Sequence, residues 1–329
     1  MSVRVRTNES AETRAAGPAA ARADWIARYR AVRGATRALA RPLAPEDQVV
    51  QSMPDASPTK WHLAHTAWFF ETFVLGPFDP EYRVFDPRFG YLFNSYYEAA
   101  GPRHPRPERG LLSRPTVSEV AAYRDHVDEA MARLMARAGA ADWGRIEPLV
   151  ELGLNHEQQH QELILTDIKH VFSLNPLHPV YAPARPREKS VPPPLSWIEH
   201  PGGIVSIGHA GPGFAFDNEG PRHRVLLRPF RIASRLVTCG EYLAFVADGG
   251  YRRPEFWLSD GWAKAQQEGW QAPLYWEADS SGWSVMTLAG RRALDADEPV
   301  CHVSFYEAAA FAAWAGKRLA LEAEWEVAA

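Results

Sequence analysis

The sequence predicts two domains of different class, an all-α four-helix bundle followed by an irregular α+β domain. Three observations carry this. Apolar residues recur every three or four positions from Trp25 to about Phe172. Seven prolines then fall within the nineteen positions from Pro176 to Pro194, a density that neither a helix nor a central strand tolerates. Beyond them come short alternating runs, many turn residues and eight of the twelve tryptophans. A length of 329 residues agrees, because single cores stop growing at about 250–300 residues.

Residues 1–24 are rich in Ala and Arg, include Glu9, Glu12 and Asp24, and lack the apolar run of a secretory signal, so a disordered leader is expected. The bundle is assigned to 25–175. Its first helix is expected from about Asp24 to Ala40. The second starts at Ser57-Pro58, read as a cap residue followed by a proline in the first turn, and ends near Gly76, read as its C′ residue. The third covers Val117–Ala138 and the fourth about Ile146–Phe172. The stretch from Phe78 to Pro115 is too long for an idle loop and makes an elaborated crossover. Residues 176–194 form the linker and 195–329 the second domain. Strands are expected at Ile204–Ile207 and over the run Val225–Ile232, and a helix from about Ser304 to Ala315, broken at Gly316. A further helix starts at Glu322 and reaches Ala328 as the chain stops, so the second domain is expected to be incomplete.

Charge and cysteine usage exclude several classes. Lys and Arg total 36 against 40 acids, a net charge of -4 that offers no footprint for nucleic acid or an anionic membrane. No stretch approaches the roughly 20 apolar residues needed to span a bilayer. The only cysteines, Cys239 and Cys301, fit a reducing cytoplasmic compartment and are expected to be plain core residues. A small-molecule substrate is the default partner. The sequence carries no signal for the oligomeric state.

The strongest chemical signal is Asn155-His156-Glu157-Gln158-Gln159-His160 in the fourth helix, because residues four apart share a face and can present two imidazoles to one ion. Trp61-His62-Leu63-Ala64-His65 in the second helix offers two more, and a facing helix is where a third ligand would come from. A structural histidine pair competes with this reading on spacing alone. His156-Glu157-x-x-His160 also satisfies the zinc-protease pattern, in which the glutamate activates a bound water. No Gly and His continuation follows His160, which argues against that reading.

Four segments then match one family in register: Ser57-Pro58-Thr59-Lys60-Trp61-His62-Leu63-Ala64-His65-Thr66, Leu92 to Tyr97, Arg106 to Thr116, and Asn155 to Glu162. They resemble the ergothioneine-pathway sulfoxide synthases, whose first domain is a DinB-like bundle. The second domain resembles the formylglycine-generating-enzyme (sulfatase-modifying, C-type-lectin-like) fold through Pro201-Gly202-Gly203, Glu219-Gly220-Pro221-Arg222-His223, Pro299 to Ser304 and Lys317 to Glu326.

The resemblance implies iron(II) held by His65, His156 and His160, with His62 outside the coordination. Three neutral imidazoles leave three positions, for a thiolate sulfur, a substrate imidazole and dioxygen. It implies hercynine, the trimethylated histidine, and cysteine or γ-glutamylcysteine as substrates. Gln159 matches a glutamine that hydrogen-bonds the substrate imidazole, against the plainer reading of a solvated helix position. Arg103 and Arg106 are chosen from the four arginines of 103–114 to hold the carboxylate of the sulfur donor. Asn94, Tyr96 and Tyr97 are read as packing the crossover. The family's proton-donating tyrosine is expected beyond Ala329, so the catalytic residue is unknown, the chain is expected to be truncated and turnover impaired. An ovothiol-type histidylcysteine sulfoxide synthase, a DinB-like metal-dependent thiol transferase, and a binding module with structural histidines are the alternatives.

Overall fold

A computed structural model describes residues 18–95, 101–186 and 191–329. Tyr96, Tyr97 and the first seventeen residues of the expected leader lie outside this set. The chain divides into two compact units between Val171 and Phe172.

In the first unit, α1 spans Pro18–Ala40 and so begins inside the stretch assigned to the leader. The next long helix, α2, spans Thr59–Phe70, and all twelve of its residues are buried. A helix covered on every side lies at the centre of its bundle, which explains why this segment shows no polar face. Two expectations at its ends are corrected. Pro58, not Ser57, occupies the N-cap, and it makes no side-chain cap bond. The Ser57 N–H instead donates to Asp167 Oδ2 at 2.8 Å, since that carboxylate is offered from another helix. Gly76 is not a C′ residue either: the helix widens into a π-turn at Glu71–Leu75 and continues through Gly76–Phe78, with Gly76 right-handed at φ -54°. Its missing Cβ allows close approach, as a Cβ there would meet the Glu71 carbonyl at 3.3 Å. The wide turn is pinned by Glu71, whose carboxylate accepts from the Tyr82 hydroxyl at 2.5 Å and the Tyr123 hydroxyl at 2.6 Å.

Helix α3, Val117–Arg137, opens with a capping box between Thr116 and Glu119. It buries Val120, Tyr123, Arg124, Val127, Ala130, Met131 and Leu134, the three-and-four spacing of one apolar stripe with a single charge inside it. Helix α4 spans Ala140–Leu174, longer than expected, and runs through Pro148. The bond from residue 148 to the Gly144 carbonyl is lost there, but Ile146, Val150 and Leu154 are fully buried on either side and hold the helix to the core. Between α2 and α3 the crossover carries a helical turn at Phe89–Leu92 and a 3₁₀ segment at Arg106–Leu111. Among the described residues no helix is long and apolar enough to cross a membrane.

The second unit holds antiparallel pairs of strands. β1 (Trp197–His200) pairs with β4 (Phe230–Ala233), and β2 (Gly203–Ile207) with β3 (His223–Leu227). The run expected as one strand over Val225–Ile232 is therefore two, separated at Arg228-Pro229, because proline cannot donate to a ladder. Helices α5 (Cys239–Ala247) and α6 (Ser259–Glu268) precede a meander of β5 (Trp276–Asp279), β6 (Gly282–Thr287) and β7 (Gly290–Ala293). Two more helices follow, α7 (Phe305–Trp314) and α8 (Glu322–Ala328). Tyr242, Phe245, Tyr251, Trp257 and Trp276 centre this unit's core, where six of the eight late tryptophans collect, while Trp197 and Trp325 stay exposed. The middle of the proline-rich stretch is tied to this unit, since the N–H groups of Tyr181 and Ala182 both donate to the Leu288 carbonyl. Cys239 is buried as expected, but Cys301 is exposed; it lies in the irregular segment leading into α7, outside that core.

The start of α5 carries a pH dependence. Bidentate hydrogen bonds from Arg235, at 2.8 and 2.9 Å, together with the capping-box N–H of Thr238, hold the Glu241 carboxyl down at about 2. The folded value lies below that of the unfolded chain, so this contribution is complete above about pH 4.5 and is lost as pH falls through about 2. Acid unfolding of E241Q followed by tryptophan fluorescence is expected to show a flatter slope over that window than the parent chain; an identical slope would contradict the assignment.

Candidate metal centre

His65 on α2 and His156 and His160 on α4 converge. Their ligand-capable nitrogens lie within 4.8 Å of one another. His156 Nε2 is 3.2 Å from His65 Nε2 and 3.1 Å from His160 Nε2. The convergence follows from helix geometry: four residues advance the chain by just over one turn, so 156 and 160 share a face, and that face is turned to α2.

Each ring is held by different neighbours. His65 lies between two indoles, nearly parallel to Trp61 at 4.6 Å and to Trp68 at 5.4 Å. Residues 61, 65 and 68 recur at the four-and-three spacing of one helix face. The His65 Nδ1–H donates to the Phe93 carbonyl at 2.6 Å, which leaves the Nε2 lone pair facing the other two rings. His160 Nδ1 is 2.8 Å from His62 Nδ1, and His62 Nε2 is 2.9 Å from Asp167 Oδ2. His156 Nδ1 is buried without a hydrogen-bond partner among the described residues.

Burial dominates the electrostatics. It pushes His65 well below the ordinary imidazole value, helped by the neighbouring His156, and brings His156 down to about 4. It depresses His160 as well, with His65 adding to the effect. All three rings are therefore neutral near pH 7, the protonation state that metal ligation requires.

Glu157, the would-be base of the protease pattern, is turned away. One residue along a helix rotates by about 100°, and its fully buried carboxylate lies among Arg33 Nη1 at 2.9 Å, Arg124 Nη2 at 2.8 Å and Thr36 Oγ1 at 2.7 Å. Burial alone would raise this carboxyl, but the two guanidinium groups overcome it and bring it to about 2. It holds the bundle together and cannot activate a water at the histidines.

The other expected residues are placed as follows. Gln159 is exposed on α4, one position before His160. Arg103 is exposed and donates to the Ser95 carbonyl at 2.7 Å, while the half-buried Arg106 donates to the Asp55 carbonyl. Asn94 is buried and donates to the Gly101 carbonyl at 2.9 Å, inside the crossover. The arginine that acts on the histidines is a different one. Arg109 is buried, stacks at 3.4 Å on Trp61, donates to Ser57 Oγ at 2.9 Å, and bears electrostatically on both His65 and His160. Asp167 was also missed, although it follows His160 by seven residues and so returns to the same helix face.

Residues 28–164 match the model of the DinB superfamily, and residues 183–329 that of the sulfatase-modifying factor enzyme 1-like domain. The chain thus joins a DinB-type bundle to a domain of the formylglycine-generating-enzyme type. Over 276 residues it is 34% identical to the hercynine oxygenase of Mycolicibacterium thermoresistibile, covering 83% of this chain and 58% of that protein. The hercynine oxygenase of Mycobacterium tuberculosis is 33% identical over 276 residues, 83% of this chain and 62% of the relative. The formylglycine-generating enzyme of Streptomyces coelicolor is 37% identical over 144 residues, 40% of this chain and 46% of its own length. The chain therefore spans about six tenths of the length of the hercynine oxygenases that it matches.

Proposed function

We propose that this chain is an oxidoreductase of the hercynine oxygenase type, which uses iron(II) and dioxygen to join a cysteine-type thiol to the imidazole of hercynine as a sulfoxide. The observation that carries the reading is the convergence of three neutral imidazoles from two helices, in a chain similar to hercynine oxygenases over 83% of its length.

The residues fit a metal ion. With metal–nitrogen bonds of about 2.1 Å, ligands at right angles sit about 3.0 Å apart, and tetrahedral ones about 3.4 Å. The separations of 3.2 and 3.1 Å lie between these and suit an ion that keeps several positions open. Iron(II) held there would supply the one-electron chemistry that dioxygen needs. The protein's own part is positioning. Trp61 and Trp68 cover both faces of His65 and keep water from it, and the Phe93 carbonyl fixes its orientation. Gln159 is the proposed partner of the substrate imidazole, and Arg103 and Arg106 the proposed anchors of the thiol's carboxylate. Holding both substrates beside one another replaces a multi-body encounter with a local one.

Anaerobic reconstitution with iron(II), followed by oxygen uptake and mass spectrometry with hercynine and either cysteine or γ-glutamylcysteine, tests this. A sulfoxide-linked product that depends on oxygen is expected, and absence of coupled product with every thiol would reject the proposal. Histidine in place of hercynine distinguishes the ovothiol-type reaction.

A further inference from the structure

We infer that the pair Asp167 and His62 is a tautomer clamp that reserves His160 Nε2 for the metal, making both of them positioning residues for a ligand they do not replace. The inference rests on the metal reading above, and it uses contacts that reading does not.

The chain of contacts has only one proton order that leaves His160 able to ligate. Asp167 Oδ2 is an acceptor, and it lies 2.9 Å from His62 Nε2, so His62 donates there. A neutral His62 then has its lone pair on Nδ1, which sits 2.8 Å from His160 Nδ1. His160 must therefore carry its proton on Nδ1 and donate it to His62, which leaves its lone pair on Nε2. That nitrogen is the one 3.1 Å from His156 Nε2, facing the common point. The opposite order, with His62 Nδ1 donating, would put the His160 proton on Nε2 and remove the lone pair.

The anchor of the chain is itself held. Ser57 N–H donates to the same Asp167 Oδ2 at 2.8 Å, and the Ser57 hydroxyl accepts from Arg109 at 2.9 Å. The three ligands therefore differ in what stands behind them: a backbone carbonyl for His65, a histidine and a carboxylate for His160, and no partner among the described residues for His156. Backing by a carboxylate through an imidazole raises the basicity of the ligand nitrogen and fixes its ring, so His160 is the firmest of the three.

Two variants of the full chain test this, with two readouts. H62L removes the acceptor, whereas H62Q retains a side-chain oxygen that can accept from His160 Nδ1. Nitrogen NMR of histidine-labelled, metal-free protein reads the tautomer directly. The Nδ1–H form of His160 is expected in the parent and in H62Q, and its loss in H62L. Chelator competition with iron(II) or cobalt(II) is expected to show roughly 10–100-fold weaker binding in H62L, with H62Q largely restored. Equal tautomer populations and equal affinities in a folded H62L would overturn the clamp. If H62L does not fold, H62Q and D167N carry the test. D167N weakens the terminal acceptor and is expected to lie between the parent and H62L, and parent-like values in D167N together with the Nε2–H form in H62Q would again overturn it. A parent chain that binds no metal would sink the metal reading alone, because the tautomer measurement needs none.

Discussion

Substituting alanine for His156 is expected to weaken metal binding more than about 100-fold, beyond the 10–100-fold typical of losing a residue behind a ligand. His156 suits this test because its ring is only half-buried and hydrogen-bonded to no scaffold group, so truncation removes a donor without opening a large void. His65→Ala would empty the slot between two indoles and confound ligation with packing. Metal that binds the folded chain raises its stability by about 2.7 kcal/mol at a hundredfold excess over Kd. The parent chain is therefore expected to melt at higher temperature with iron(II) or cobalt(II) than after chelation, and His156→Ala to melt at the same temperature in both. A metal-induced rise preserved in the variant would place the ion elsewhere.

Replacing Glu157 with alanine is expected to destabilise the first unit by about 3–5 kcal/mol, because among the described residues it removes the carboxylate paired with buried Arg124 and leaves buried Arg33 with Asp128 alone. Arg33 and Arg124 have 2% and 1% of their side chains exposed, so water cannot take over the lost contacts. For a domain of this size that corresponds to a fall in Tm of roughly 6–20 °C, readable by calorimetry. The result separates two roles for the same residue. A water-activating base would leave the fold intact and abolish chemistry, whereas the ion triad predicts a fragile fold whose surviving molecules still bind metal at low temperature. A change in stability within 1 kcal/mol would contradict the triad.

Much of this architecture is legible in the sequence. The helical period, the block of prolines and the cluster of late tryptophans separate the two domains, and the i, i+4 histidines together with His65 anticipate where two helices meet. The residues around them were harder to read. Four arginines between 103 and 114 look alike in sequence. What singles out Arg109 is the indole face of Trp61 and the narrow packing beside it, where a Cβ on Gly110 would come within 2.6 Å of Gln51. The purpose of Glu157 was hidden by its place in a protease-like pattern, yet one clue was available: Arg124 interrupts an otherwise apolar stripe on α3, and a charge on a core face requires a partner. Gly76 misled because a glycine after a helical run commonly ends it, and nothing local announces that the helix will instead take in an extra residue.

That extra residue has a bearing on the histidines. The π-turn at Glu71–Leu75 lengthens the path between His65 and the segment that returns its Phe93 carbonyl to His65 Nδ1. Because the wide turn takes up one more residue for about the same rotation, deleting a residue from it would tighten it to ordinary α geometry and leave the flanking segments near their present register. The loss would fall on the contacts of Glu71 with Tyr82 and Tyr123, and the Phe93 carbonyl would keep its place beside the ring. The bulge is thus slack in the helix: a single deletion there should spare the centre, whereas the same deletion within Thr59–Phe70 would rotate the histidine face by about 100°.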